Sequence, residues 1–306
     1  VSSRLTVIIL GAGDLATGTA HRLYRAGLDL VMTELPEPRA VRRLVCFSEC
    51  VFRGECEVEG VRAVRVASAA EAAACVRAGE RDADPPVPVL VDHDGRALAA
   101  IREALAPQVL VDARMAKTNL GTTLADAPVV IGLGPGFEGG VTVHAVVETA
   151  RGHDLGRVIY RGRALDFTGV PGEVGGFTAE RVLRAPEGGV FRTRVGLADR
   201  VAAGQLVGEV FPTGGPTGGG PTGGGATGGG ATGGGPPLPV RAAITGVVRG
   251  LLRDGAPVAK GQKLGDIDPR LDPDAARRIS DKARAVAGGV LEAVLCLTSG
   301  RRPRQP

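Results

Sequence analysis

The residues best suited to chemistry stand near the start of the chain, where Gly11-x-Gly13-x-x-Ala16 fits a dinucleotide-binding fingerprint. Gly11 allows a tight turn, Gly13 lets the backbone approach a pyrophosphate, and Ala16 permits close packing of a helix on a sheet. The free N–H groups of the helix start suit an anion. Glu34, 23 residues after Gly11, stands where an acid would meet a ribose. Asp14 fits less simply, because a carboxylate beside a pyrophosphate repels it; Asp14 either caps the helix or meets a cation or polar ligand group. The turn reads two ways, as the seat of a nucleotide or other phosphate-bearing ligand or as a Rossmann-like turn that binds nothing of the kind.

Two further loops have usable chemistry. Asp112 to Asn119 gathers an acid, Arg114, Lys117 and an amide, and Gly132-Leu-Gly134-Pro-Gly136-Phe137 follows the next apolar run. Arg114 and Lys117 are suited to an oxyanion, and Gly134 and Gly136 could present backbone N–H groups to it. Lys117 reads equally as a solvated loop lysine. Cys46, Cys50 and Cys56 would meet a metal only if a helix set the first two one turn apart, and they read otherwise as small semi-buried residues. His144, Glu148, His153 and Asp154 make a metal set on paper, but His144 and Glu148 share a face only in a helix, and Val141 to Val147 reads as strand. No metal site is expected. No Gly-x-Ser-x-Gly elbow, His-Glu-x-x-His or Cys/His pair marks a nucleophile, so no catalytic residue is assigned.

These loops need a scaffold, and the apolar pattern supplies one. Residues 5 to 10 (LTVIIL) are a continuous β-type run that breaks into the glycine turn, and a helical pattern then lasts to Gly27. Strand runs at 28–33, 51–66, 87–91, 109–111 and 129–133 alternate with helical patterns near 40–47, 68–78 and 96–105. This predicts a Rossmann-like α/β domain over 1–180 with a parallel sheet, whose ligand crevice lies at the carboxyl ends of the strands. A C-terminal helix over 275–295, with an interruption at Gly288-Gly289, and a disordered tail fill 271–306.

The composition sets limits. At 306 residues, 43% hydrophobic and 23% charged, the chain has room for two domains and a real core. With no Trp, two Tyr and seven Phe it lacks stacking platforms for single strands, and a net charge of +4 without a long basic run argues against nucleic acid. The first apolar run is too short for a signal peptide or a bilayer span, so no membrane role and a cytoplasmic location are expected. Five cysteines without a CxxC pair indicate no disulfide framework.

The second half carries a gapless duplication with a 57-residue offset. Arg184-Ala185, Gly189-Val190, Arg192, Val201-Ala202, Gly204-Gln205 and Gly208 recur as Arg241-Ala242, Gly246-Val247, Arg249, Val258-Ala259, Gly261-Gln262 and Gly265. Fixed-period similarity implies one folding unit used twice. Each copy resembles half of an all-β barrel-sandwich hybrid of the biotinyl/lipoyl type, placed over 181–270. Phe211 to Val240 contains no lysine, so no biotin or lipoyl attachment is expected, and the unit reads as a scaffold or docking module. Four Pro/Ala-Thr-Gly-Gly-Gly units within 212–235 read as a flexible insert. Lengthening a loop from about 4 to about 24 residues costs only about 1.6 kcal/mol of closure entropy, so the halves can still pair.

Taken together, Gly11 to Gly18, Thr33 to Pro36, Asp112 to Thr123, Gly132 to Phe137, Val143 to Thr149, Arg151 to His153, Gly172 to Gly176 and Ile279 to Arg284 resemble the accessory-protein family of selenium-dependent molybdenum hydroxylase systems, the YqeB family. The resemblance runs nearly end to end, and the glycine-rich insert departs from it. It implies a role in maturing molybdenum hydroxylases of the xanthine dehydrogenase type, with a nucleotide or the molybdenum cofactor as ligand. The implied partners are a client hydroxylase or other maturation proteins. An NAD(P)-dependent oxidoreductase and a non-catalytic structural adaptor are the alternatives.

Overall fold

A computed structural model describes residues 4–78, 84–93, 95–169, 172–213 and 235–300. The chain divides into two compact units, Val1–Gly169 with Arg277–Pro306, and Val170–Ala276. The expected flexible tract lies outside the described residues from 214 to 234, as does the tail from 301.

The first unit contains β1 (Thr6–Leu10), α1 (Asp14–Arg25), β2 (Asp29–Glu34), α2 (Cys50–Arg53), β3 (Glu55–Val58), β4 (Val61–Val66), α3 (Ala69–Ala78), β5 (Val87–Val91), α4 (Ala97–Leu105), β6 (Val109–Asp112) and β7 (Val129–Leu133). After β8 (Glu138–Gly139) come β9 (Ala145–Val147), β10 (Val158–Ile159) and β11 (Gly162–Arg163). Nine strands form one sheet in the order β10-β9-β7-β6-β1-β2-β5-β4-β3. Apolar runs without alternation build its centre because both faces are covered. Val7 and Ile9 pack on one side with α1 and with α5, the long helix Asp281–Thr298, while Ile8 and Leu10 pack on the other with α3 and α4.

The fold-class expectation is corrected in both parts. The large sheet is mixed, not parallel, because β3 runs antiparallel to β4 and β10 antiparallel to β9. The β3–β4 reversal needs only the two residues Glu59 and Gly60, both at positive φ, which is hairpin chemistry rather than a helical crossover. The duplicated unit is not a biotinyl-type barrel-sandwich domain. It consists of two small antiparallel sheets built from β12 (Val182–Arg184), β13 (Gly189–Thr193), β14 (Arg200–Val201), β15 (Leu206–Pro212), β16 (Leu238–Arg241), β17 (Gly246–Leu251), β18 (Pro257–Val258) and β19 (Lys263–Asp268). Their orders are β12-β19-β17-β14 and β16-β15-β13-β18. Strands this short cannot complete a sheet within one copy, so each sheet takes two strands from each. The long tract falls between the paired strands β15 and β16, where a carrier domain would need a tight exposed hairpin.

Two local expectations also change. The helix expected at 40–47 is instead a pair of 3-10 turns, Arg43–Val45 and Phe47–Glu49, running into α2. Here long-range bonds override helical pattern: Ser48 N–H donates to Ala12 O (2.9 Å), and Phe47 N–H donates to Thr17 Oγ1 (2.9 Å). The C-terminal helix is not interrupted at Gly288-Gly289. A side chain at Gly289 would strike the carbonyl of Gly156, so this glycine permits close packing rather than a break.

Candidate functional site

The glycine turn joins β1 to α1 at the carboxyl end of the central strand. Gly11 has φ +95°, donates its N–H to Thr33 O (2.9 Å), and would bring a Cβ within 3.2 Å of Ala113 O. Only glycine fits there without strain. Gly13 is the residue preceding α1, in extended conformation, and a Cβ on it would meet nothing within 4 Å. The backbone therefore borders open space at the helix start. Ala16 is buried in the α1-side core.

Glu34 is tied to this turn. Its Oε2 accepts the Ala12 N–H (2.8 Å) and its Oε1 the Leu35 N–H (2.7 Å). Burial pushes its pKa up, while the Leu35 and Ala12 amides pull the other way. Asp14 makes no cap; it receives the Arg42 guanidinium, with Nη1 at 3.1 and 3.2 Å from its two oxygens. Arg42 is buried, donates from Nη2 to Arg278 O (2.9 Å), and keeps an Nε–H without an acceptor. The segment after β2 thus returns over the turn and links it to the approach to α5.

The 112–119 loop is organised from within. Arg114 Nε donates to Asp112 Oδ1 (3.0 Å) and Nη2 to Asp112 Oδ2 (2.5 Å) and Thr122 Oγ1 (2.8 Å), while buried Asp112 also accepts from Thr122 Oγ1. Lys117, at φ +66°, lies 3.7 Å over the Phe167 ring. Gly134 (φ +74°) faces the Thr149 hydroxyl, and Gly136 (φ +103°) packs 2.8 Å from Thr118 C by its Cβ position. Both glycines close the loops on each other.

Glu148 at the end of β9 is buried and accepts N–H bonds from Thr149, Ala150 (2.7 Å each) and Leu165 (2.8 Å). His144 Nδ1 accepts the Val130 N–H (3.0 Å), and burial lowers its pKa. Among the described residues no group of three or more His, Cys, Asp and Glu is placed to hold a metal. Cys46 is fully buried, and burial is the main cause that pushes its thiol well up.

Arg42, which the sequence did not single out, meets the turn at Asp14, and α5, whose first turn carries Lys282, packs on α1. The two helices pack closely, with the Cβ position of Gly18 in α1 only 2.8 Å from Ala283 Cβ in α5. Ser280 caps α5, accepting the Ala283 N–H (3.1 Å). That Ser-Asp start was a readable helix signal, and Lys282 is one of only four lysines. What the sequence could not show was the packing of this helix start on α1.

The arrangement defines an α/β unit in which the glycine turn and the loops after Asp112 and Leu133 follow the carboxyl ends of neighbouring parallel strands. No protein-family model matches the chain. It is 43% identical over 296 residues to the uncharacterized protein YqeB of Escherichia coli strain K12, a match covering 97% of this chain and 48% of that protein. The chain thus spans about half the length of the curated relative it matches, whose name agrees with the motif resemblance and carries no activity. Among solved structures, an aspartoacylase family protein from Mesorhizobium loti aligns at 13% identity over 87% of this chain and 85% of that one, with a TM-score of 0.26. The product-bound ectoine utilization protein EutE of Ruegeria pomeroyi aligns at 14% over the same shares, with a TM-score of 0.25. Similarity at this level brings no residue or activity to this chain. No helix among the described residues is long and apolar enough to cross a membrane.

Proposed function

We propose that this protein is a cytoplasmic accessory factor for the maturation of selenium-dependent molybdenum hydroxylases, and that its first unit holds a nucleotide or molybdenum-cofactor-like ligand by a phosphate group. The observation that carries the reading is Gly13, where backbone at the start of α1 borders open space. The unpaired N–H groups of a helix start favour an anion. Gly11, Ala16 and Glu34 shape the turn, Arg114 braces the neighbouring loop, and Lys117 with the Gly134–Gly136 turn borders the crevice. Asp14 has its charge matched by Arg42, which lessens its repulsion of a phosphate. In this reading the ligand's chemistry is used by a client hydroxylase, and the duplicated unit provides the docking surface.

Isothermal calorimetry of the purified protein with molybdopterin and with nucleotides tests this. Binding that is lost in Gly13→Val, with the melting temperature retained, is the expected result; no binding of any of these ligands overturns it. An NAD(P) enzyme would require Glu34 to exchange its Ala12 bond for a ribose, and nicotinamide-cofactor binding weakened by Glu34→Ala would favour that reading.

A further inference from the structure

We propose that Phe167 is the stacking platform for the planar heteroaromatic ring of the bound ligand, with the Lys117 ammonium holding the platform from one face. The inference rests on the reading of the first unit as the holder of a phosphate-bearing ligand and adds the side chain that meets that ligand's ring, a nucleobase or a pterin.

Phe167 is 58% exposed, although the Lys117 ammonium already stands 3.7 Å over its ring centroid. With a cation over one face, the opposite face is the one left to a second planar group. A phenylalanine that serves only the core buries its ring, as Phe47 and Phe191 do. Two residues before Phe167, the Leu165 N–H donates to Oε2 of buried Glu148 (2.8 Å), so the ring follows a firm anchor beside the end of β9. From the other side, the loop after β6 reaches the ring through Lys117 at φ +66°, with Met115 at φ +56° just before it. Non-glycine residues adopt this left-handed conformation at a cost. Among the described residues Lys117 forms no hydrogen bond or ion pair, so the strained loop presents its cation to the ring and to no carboxylate.

The platform stands at the same end of the sheet as the glycine turn. β1, β6, β7 and β9 run parallel, and the segments that follow them touch in succession. The Cβ position of Gly11 is 3.2 Å from Ala113 O, that of Gly136 is 2.8 Å from Thr118 C, and that of Gly134 faces the Thr149 hydroxyl. Lys117 lies between Ala113 and Thr118 in this series. Met115, Leu120 and Leu165, on the same segments, are also exposed, so a flat apolar ring meets apolar neighbours. One platform suits one ring, which agrees with a chain too poor in aromatic residues to stack a nucleic-acid strand.

The chain contains no tryptophan, so Phe167→Trp places a single fluorescent reporter at the platform. Adenosine monophosphate or neopterin monophosphate should quench its emission saturably, and ribose 5-phosphate, which has the phosphate but no ring, should not. The tighter of the first two ligands identifies the source of the ring. In calorimetry, Phe167→Ala should weaken binding of the ring-bearing ligand about tenfold and leave pyrophosphate binding unchanged. Thermal melting shows that both variants are folded, as replacement of an exposed side chain predicts. No saturable quenching, wild-type affinity in Phe167→Ala, or an equal loss of pyrophosphate binding removes the platform, and the phosphate-ligand reading stands as long as the nucleotide or pterin phosphate still binds. Adenosine that quenches and binds as tightly as its monophosphate keeps the platform and removes the phosphate reading. Failure of every ring-bearing ligand to bind overturns both.

Discussion

Glycine meets opposite surroundings at the turn after β1 and along the paired strands of the duplicated unit. At the end of β1, Gly13 keeps a space empty, and a Cβ there would touch nothing. In the duplicated unit, glycines at matching positions keep chains together: Gly189 abuts the Phe211 carbonyl, Gly246 lies within 2.5 Å of Asp268 O by its Cβ position, and Gly265 abuts Gly250 O. A side chain is missing beside open space in one place and against the protein's own backbone in the other. The difference separates an unfilled turn from a scaffold shaped by its own pairing. Glycine richness alone signals neither.

The comparison can be broken by filling these sites. The largest effect is expected from Gly246→Val, where a side chain meets backbone on a strand paired on both edges; a loss of about 3 kcal/mol or more in urea unfolding would follow. Stability unchanged within error would mean that the strands do not approach this closely. Next is Asp112→Ala, which strands the Arg114 guanidinium and the Thr122 hydroxyl beside the crevice; a loss of about 3 kcal/mol is expected in the same measurement.

Lys282→Met should act in the reverse direction, raising the melting temperature at neutral pH by about 2 °C, because a partly buried cation without a partner is removed. Its pH dependence has a defined sign. Native Lys282 has a pKa below the ordinary 10.5, chiefly through burial, with Arg151 lowering it further and Asp14, Glu148 and Asp281 opposing. Between the lowered value and 10.5 the unfolded chain holds more protons, so wild-type stability should rise with pH relative to Lys282→Met across that window. A parallel pair of stability curves would contradict it. Smallest is Gly13→Ala, with a stability change within about 0.5 kcal/mol because the space is open. A ligand contacting the backbone would nevertheless feel the added methyl, and calorimetry separates the two effects.

Much of the first unit was legible from its apolar runs, because a strand buried on both faces writes itself as uninterrupted Val, Ile and Leu. The helices at 69–78 and 97–105 and the strands at 87–91 and 129–133 fall where those runs and their polar partners put them. The segment after β2 was not legible. Arg42, Phe47 and Ser48 take their conformation from Asp14, Thr17 and Ala12, which no local pattern records. The same limit applied to the duplication. Its offset was plain in the residues, but strand exchange between copies is a matter of which distant edges meet. The glycine turn announced itself, whereas the packing of α5 on α1, which sets Ala283 against Gly18, joins residues far apart in the sequence.

That packing also fixes an order of events during synthesis. Ile279, Ala283, Val286, Val290 and Val294 belong to the same core as β1 and α1, although the whole of the unit spanning 170–276 is translated between them. A nascent chain that has emerged only as far as β10 has its glycine turn but lacks one wall of that core and the lysine beside it. That wall of the core can be added only after the ribosome has finished the intervening unit.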